Sequence, residues 1–313
     1  MGPSLVTGIS GQDGSYLAER LVAEGREVVG MMRPPLDRPL PWVPAEVRRV
    51  AADLLDPVAV RRAVVSVAPS EVFHLAAPAF VPESWRSPAA ALAAIGAGTA
   101  AVLEGAREVG ARVLVAGSAQ VFGASPVSPQ DEDTPLRPDS PYGVGKAAAQ
   151  ELVRVLRGDG LFACTAIAYN HESPRRPERY VTRKLTRAAA AVSLGLEQEV
   201  AIGNLDARRD WLHARDVVEG MVLALRHPSP GDYVLAGGVA RTVREFAAAA
   251  FAVVGLSAEP YLRVDPELVR AEEGVLVGDA SRARAVLGWA PRVSFEELVR
   301  EMVEADLAAL RGR

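Results

Sequence analysis

Hydrophobic positions along this 313-residue chain follow two alternating rhythms. Short continuous runs rich in Val, Leu and Ile occur at Ser4 to Thr7, Glu27 to Met32, Val47 to Ala52, Glu71 to Leu75, Arg112 to Ala116 and Leu161 to Ala168. Runs of that length with little polar alternation predict strands covered on both faces, as in a parallel sheet. Between them, helical spacing predicts amphipathic helices at Ser15 to Glu24, Pro57 to Val67, Pro88 to Val109 and Pro141 to Leu156. Strand and helix in strict alternation imply an α/β fold, a Rossmann-type doubly wound parallel sheet with helices on both faces. After Tyr169 the rhythm changes to a polar loop, a helix near Thr182 to Leu194 and a shorter mixed pattern. The expected organisation is a Rossmann domain over 1-168 with a returning segment at about 206-238, and a smaller mixed α/β domain from 169-205 and 239-313.

Composition narrows the function classes. Hydrophobic residues make up 49% and charged residues 24%, a globular balance, and the formal net charge of −4 offers no basic face for nucleic acid. The longest apolar stretch, Ala247 to Leu256, falls short of the roughly 18 residues a membrane span needs, and the start of the chain lacks signal-peptide character, so a cytoplasmic location is expected. Cys164 is the only cysteine and sits in an apolar strand-like run, which predicts an inert buried thiol and no thiolate metal cluster. Of 35 basic residues only Lys146 and Lys184 are lysines. Arginine cannot replace a small amine of adjustable pKa, so both positions become candidates for chemistry.

Two stretches carry that chemistry. The first strand runs into Thr7-Gly8-Ile9-Ser10-Gly11-Gln12-Asp13-Gly14 and then a helix. Glycines Gly8, Gly11 and Gly14 in a strand-to-helix turn let backbone amides approach a pyrophosphate, which then lies at the positive helix N-terminus. The second strand ends at Arg33, where an NAD enzyme would offer a carboxylate to the ribose; a guanidinium suits a 2′-phosphate, so NADP(H) is the expected cofactor, with Arg38 a rival for the same task. Asp53 and Leu54 after the third strand are placed for the adenine edge, and Leu75, Ala76 and Ala77 after the fourth for close passage of the cofactor. Further on, Ser118 follows the fifth strand, and Tyr142 and Lys146 stand four apart at a helix start, on one face. An ammonium beside a phenol is expected to lower its pKa from about 10 toward neutrality. Such a tyrosine exchanges a proton with a carbonyl or alcohol oxygen held by the serine while a nicotinamide exchanges hydride with the attached carbon.

With these residues the chain resembles the extended short-chain dehydrogenase/reductases acting on nucleotide sugars, and within them the group of GDP-mannose 4,6-dehydratase and GDP-4-keto-6-deoxymannose reductase. The dehydratase-like segments are Thr7 to Glu19, Asn170-His171-Glu172-Ser173-Pro174-Arg175-Arg176 with Val181-Thr182-Arg183-Lys184, Gly203-Asn204-Leu205-Asp206 with Arg209-Asp210-Trp211, and Leu287-Gly288-Trp289. Val81 to Trp85 and Ser140 to Val144 are more reductase-like. The resemblance implies that Ser118, Tyr142 and Lys146 are catalytic and that a GDP-sugar is held by Asn170, Val181, Lys184, Arg209 and Arg270, with Ser84 near the hexose and Glu273 at a ribose. Arg175, Arg176, Arg183, Lys184 and Arg209 then read as a basic cluster for the diphosphate. It also implies a homodimer or homotetramer through the helices at Pro88 to Val109 and Pro141 to Leu156.

The chain departs from that pattern at Gln120, where the dehydratases carry a glutamate implied to remove the C5 proton. An amide cannot accept that proton at neutral pH. Glu83 is a substitute only if it points inward. Phe122, Ile95, Pro78 and Phe80 also differ from the family and alter the pocket wall. The leading expectation is therefore an NADP(H)-dependent reductase acting at C4 of a GDP-4-keto-6-deoxyhexose, with GDP-mannose 4,6-dehydratase, a nucleotide-sugar 4-epimerase and a non-catalytic dinucleotide sensor as alternatives.

Overall fold

The computed structural model describes residues 2–269 and 275–312. In chain order its strands are β1 (Ser4–Thr7), β2 (Val28–Met32), β3 (Arg48–Ala51), β4 (Glu71–His74), β5 (Arg112–Ala116), β6 (Ala163–Ala168), β7 (Asn170–Glu172), β8 (Val200–Ile202), β9 (Arg208–His213), β10 (Asp232–Leu235), β11 (Ala240–Thr242) and β12 (Leu262–Val264). The helices are α1 (Gln12–Ala23), α2 (Pro57–Val67), α3 (Val81–Arg86), α4 (Pro88–Leu92), α5 (Gly98–Val109), α6 (Pro141–Gly158), α7 (Val181–Ser193), α8 (Ala214–Arg226), α9 (Val243–Val253), α10 (Ser281–Leu287) and α11 (Phe295–Arg311). A π-helical segment, Ala93–Ala97, joins α4 to α5 into one long helix.

Seven strands form one sheet in the order β10-β6-β5-β4-β1-β2-β3, every neighbouring pair parallel. The apolar runs of β1, β2, β4 and β6 are buried throughout because helices cover both faces, whereas the edge strand β3 is polar and half exposed. The order reverses between β1 and β4, and a crevice outside the strand C-termini is expected at that point. Thr7, His74, Ala116 and Ala168 end the strands on its two sides. Strand β10 comes from beyond residue 230, so the sheet closes on a segment distant in sequence.

A second core packs α7, α9 and α11 around Trp211, Phe246 and Phe295, with Trp211 edge-on to Phe246 at 5.1 Å. Its polar anchor is Asp306, fully buried on α11, which accepts from Nε of Arg183 at 3.0 Å, from Nη2 at 2.6 Å and from the Thr186 hydroxyl at 2.8 Å. One expectation changes: among the described residues the long helix over Pro88–Val109 is apolar and long enough to cross a membrane by length and composition. Its inner face is core, packed against α2 and α6.

Removing one partner of a buried ion pair leaves the other desolvated and uncompensated. Asp306→Ala is accordingly expected to destabilise the protein by about 3 kcal/mol in urea unfolding, and an unchanged midpoint would show that the Arg183 contact carries no stability.

Candidate active site

The glycine-rich turn is dictated by close approach. Gly8 has φ +71°, and a Cβ there would lie 2.9 Å from the Ala76 nitrogen; a Cβ on Gly14 would lie 2.3 Å from the Gly8 carbonyl oxygen. Only glycine lets α1 start this close to β1 and lets the loop after β4 press against the turn. Gly11 caps α1 with extended backbone and is exposed. The Thr7 hydroxyl oxygen accepts from the Leu75 and Ala76 amides at 3.1 and 3.0 Å, which fixes the half-buried Leu75-Ala76-Ala77 segment beside it. Both its lone pairs are thereby used, so its proton goes to His74 Nδ1 at 2.8 Å, and His74 Nε2 donates to Thr99 Oγ1 at 3.1 Å. Burial, aided by the Lys146 charge, pushes His74 down to about 3, so this relay stays neutral.

This cradle, which a single Cβ would fill, suits the pyrophosphate of a dinucleotide. Arg33 is exposed just beyond β2. Arg38 donates from Nη2 to Ser10 Oγ at 2.9 Å, and its Nε is buried without an acceptor, which fits a further anion. Asp53 accepts from the Leu55 amide at 3.0 Å, closing its own turn, and Leu54 packs against Gly98 at the start of α5.

Tyr142 and Lys146 lie in the first turns of α6, whose start is fixed by Pro141 and by the Ser140 hydroxyl accepting from the Gly143 amide at 3.1 Å. A Cβ on Gly143 would sit 2.6 Å from the Gln120 carbonyl, so the helix start rests directly on the turn that follows Ser118. That contact brings the Ser118 hydroxyl close enough to the Tyr142 phenol to influence its ionisation. Burial pushes the Tyr142 phenol up to about 12, against the influence of Ser118, which pulls it down. Lys146 does not offset that burial: its ammonium donates to the Ala116 carbonyl at 2.7 Å, stands 5.9 Å from the Tyr142 ring centre, and is itself pushed down to about 8 by burial. The expectation that the amine alone brings the phenol toward neutrality is thus overturned, because desolvation outweighs a charge that faces a carbonyl.

Ser84 is buried in α3, donating to the Val81 carbonyl at 2.7 Å and accepting from the Tyr142 amide at 3.2 Å, so its hydroxyl supports Tyr142 from behind. Gln120 is half-buried beside Ser118, and Glu83 is exposed. On the other side of the crevice Asn170 opens β7 and pairs with Trp211 of β9, Val181 and Lys184 share one face of α7, and Arg209 lies on β9 with Nη1 donating to the Arg208 carbonyl at 2.7 Å. Arg270 and Glu273 lie outside the described residues.

The expected basic cluster is thinner than the sequence suggests. Arg175 pairs with Glu19 at 2.6 Å, Arg176 with Glu172 at 3.1 Å and Arg183 with Asp306 at 2.6 Å. Lys184 is half-buried and has no carboxylate partner among the described residues.

Sequence reasoning missed what joins the two sides. Gln12 and Asp13 turn their side chains away from the glycine loop and toward β7: Gln12 Nε2 donates to the His171 carbonyl at 3.1 Å, Ser173 Oγ donates to Gln12 Oε1 at 2.7 Å, and His171 Nε2 donates to Asp13 at 3.0 Å. His171 Nδ1 faces the Tyr169 carbonyl at 2.7 Å, so both ring nitrogens are set against acceptors, an arrangement that favours the charged imidazolium. Burial opposes the charge on each partner, but the mutual attraction and hydrogen bond prevail, leaving Asp13 lowered and His171 raised. Both residues stand in motifs quoted from the sequence; their separation of 158 positions hid the pairing.

An open parallel sheet with a glycine turn at its switch point and a Ser-Tyr-Lys set after β5 defines the extended short-chain dehydrogenase/reductase class. Comparison with known proteins specifies it further: a family model described as GDP-mannose 4,6 dehydratase matches residues 5–302. GDP-mannose 4,6 dehydratase 2 of Arabidopsis thaliana is 42% identical over 97% of this chain and 86% of its own, and GDP-mannose 4,6-dehydratase of Sinorhizobium fredii is 38% identical over 99% and 97%. The chain belongs to the GDP-mannose 4,6-dehydratase family. Among solved structures it is similar to UDP-glucose 4-epimerase of Thermus thermophilus in complex with NAD (TM-score 0.87, 29% identity, 98% and 99% covered) and to RMD of Pseudomonas aeruginosa complexed with NADPH (0.81, 25%, 98% and 100%).

A raised imidazole contributes fully below its ordinary value near 6.5 and loses that contribution as pH climbs through the raised value; a lowered carboxyl contributes fully above 3.8 and loses it in acid. Stability in urea should therefore decline as pH rises above about 6.5, and His171→Gln should flatten that decline. The same slope in both proteins would contradict an ion pair.

Proposed function

We propose that this chain is an NADP(H)-dependent GDP-mannose 4,6-dehydratase. The observation that carries the reading is a Ser118-Tyr142-Lys146 set built on a frame whose relatives, matched over nearly their whole length, bear that name. Bound NADP+ supplies the hydride acceptor. Gly8, Gly11 and Gly14, with the backbone of Gln12 and Asp13, hold its pyrophosphate; Arg33 and the segments at Asp53-Leu54 and Leu75-Ala77 line its adenosine and ribose, and Lys146 its nicotinamide ribose. Asn170, Val181, Lys184 and Arg209 hold the GDP moiety. The organisation expected from sequence, 1-168 with 206-238 against 169-205 with 239-313, belongs to this reading, with cofactor and sugar meeting between the two parts.

Tyr142 exchanges the proton of the C4 oxygen while Ser118 holds that oxygen by a second hydrogen bond. When bound, NADP+ would accept the C4 hydride and, as NADPH, would return it to C6; in between, the C5 proton passes to water, the C6 hydroxyl leaves with a proton as water, and C5 regains a proton as C6 takes the hydride. Gln120 has no basicity to offer C5, so elimination is slow. A homodimer or homotetramer is part of the reading, supported by Trp85 on α3, Leu92 on α4, and Val144 and Val155 on α6, all large apolar side chains at least 40% exposed.

Two observations favour reduction of a GDP-4-keto-6-deoxyhexose at C4 as the second reading: the amide at 120, and a phenol held protonated, the form that donates to a ketone. The assay that separates them is incubation with GDP-mannose and catalytic NADP+. A GDP-4-keto-6-deoxy product is expected, with Gln120→Glu raising its rate by about 10²-fold. If neither protein forms the ketone while the wild type consumes NADPH with the keto sugar, the second reading replaces the first. Tyr142→Phe should abolish hydride exchange by either route while leaving NADPH affinity within about threefold; undiminished turnover would remove Tyr142 from the chemistry.

A further inference from the structure

We infer that Arg38, set in place by Ser10 and Arg49, reads the 2′-phosphate monoester of the cofactor, so that the choice of NADP(H) over NAD(H) resides in this loop residue more than in Arg33. The inference rests on the NADP(H) reading above and assigns the discrimination within it.

Four features meet at this point. Arg38 reaches from the segment after β2 to the middle of the glycine-rich turn, where Nη2 donates to Ser10 Oγ at 2.9 Å. Its Nε is buried and has no acceptor. A guanidinium carries five donors and no acceptor, and a buried N–H without a partner is uncommon in a folded protein, so this edge of Arg38 is oriented toward an oxygen supplied from outside the chain. Ser10 accepts from Arg38 and is exposed, so its own proton remains available to the same ligand. A hydroxyl donor beside a guanidinium edge fits the several oxygens of a phosphate monoester, which at neutral pH carries close to two charges.

The fourth feature is preorganisation. Arg49, on β3, donates from Nη1 to the Leu36 carbonyl at 2.6 Å and to the Arg38 carbonyl at 2.8 Å. One side chain thus fixes the backbone on both sides of Asp37, and Arg38 is positioned before any ligand arrives. Arg33 differs: it is exposed and has no hydrogen bond or ion pair among the described residues, so binding would have to order a long free side chain. The same donors could face the dinucleotide's pyrophosphate, which NAD+ and NADP+ share, so the ligands must separate the two phosphates.

The test is calorimetric titration of wild type, Arg38→Ala, Ser10→Ala, Arg49→Ala and Arg33→Ala with NADP+, NAD+, 2′,5′-ADP and 5′-ADP. Arg38→Ala should weaken NADP+ and 2′,5′-ADP by about 30-fold while changing NAD+ and 5′-ADP by less than about threefold. Ser10→Ala and Arg49→Ala should weaken the same two ligands by smaller factors, and they keep the question open to measurement if Arg38→Ala folds poorly. Equal losses for NAD+ and NADP+ in Arg38→Ala would place Arg38 on the pyrophosphate and overturn the inference, as would a preference abolished by Arg33→Ala but kept in Arg38→Ala. A wild-type protein that binds NAD+ as tightly as NADP+ would instead overturn the NADP(H) reading itself.

Discussion

Desolvation of one hydroxyl governs this site. Tyr142 is buried between the start of α6 and the turn after β5; burial raises its phenol, Ser118 and Arg176 pull it down, and Tyr180 and Asp13 push it further up. Removing water penalises the charged form, and no neighbouring cation compensates it fully, so the phenol is held as an acid. That state is ready to protonate a ketone and is a poor acceptor for an alcohol proton.

The same burial explains the supports around Tyr142. Ser84 takes the Tyr142 amide, which a helix start leaves without an intrahelical partner, and Gly143 gives up its side chain so that α6 can rest on the Gln120 carbonyl. These contacts set the phenol's position through the backbone, a stiffer arrangement than a chain of flexible side chains. Lys146 has its own anchor at the Ala116 carbonyl, so the amine is held by the end of β5 and does not depend on the tyrosine.

Across the crevice, α1 and the segment from Asn170 to Arg176 act as one body. Gln12, Asp13, Ser15 and Glu19 on the helix meet His171, Ser173 and Arg175, and Arg175 also stacks on the Tyr16 ring at 3.8 Å. Residues that in the sequence look like ligands of an anion are largely committed to one another. The result is a direct hydrogen-bonded connection between the glycine-rich turn and β7.

The strands and helices of the sheet were legible from periodicity because a strand buried on both faces must be apolar throughout and a half-buried helix must be striped; β1, β4, β5, α2 and α6 needed nothing else. The glycine turn and the Tyr-Lys spacing were equally local. Pairings across long separations were not: Asp13 with His171, Arg183 with Asp306, and Ser84 behind Tyr142 all depend on which segments the fold brings together. The direction of the Tyr142 shift belongs with them. Sequence showed an amine one turn away, but the sign is set by how much water the whole site excludes and by where that amine points, and both quantities exist only once the chain has folded.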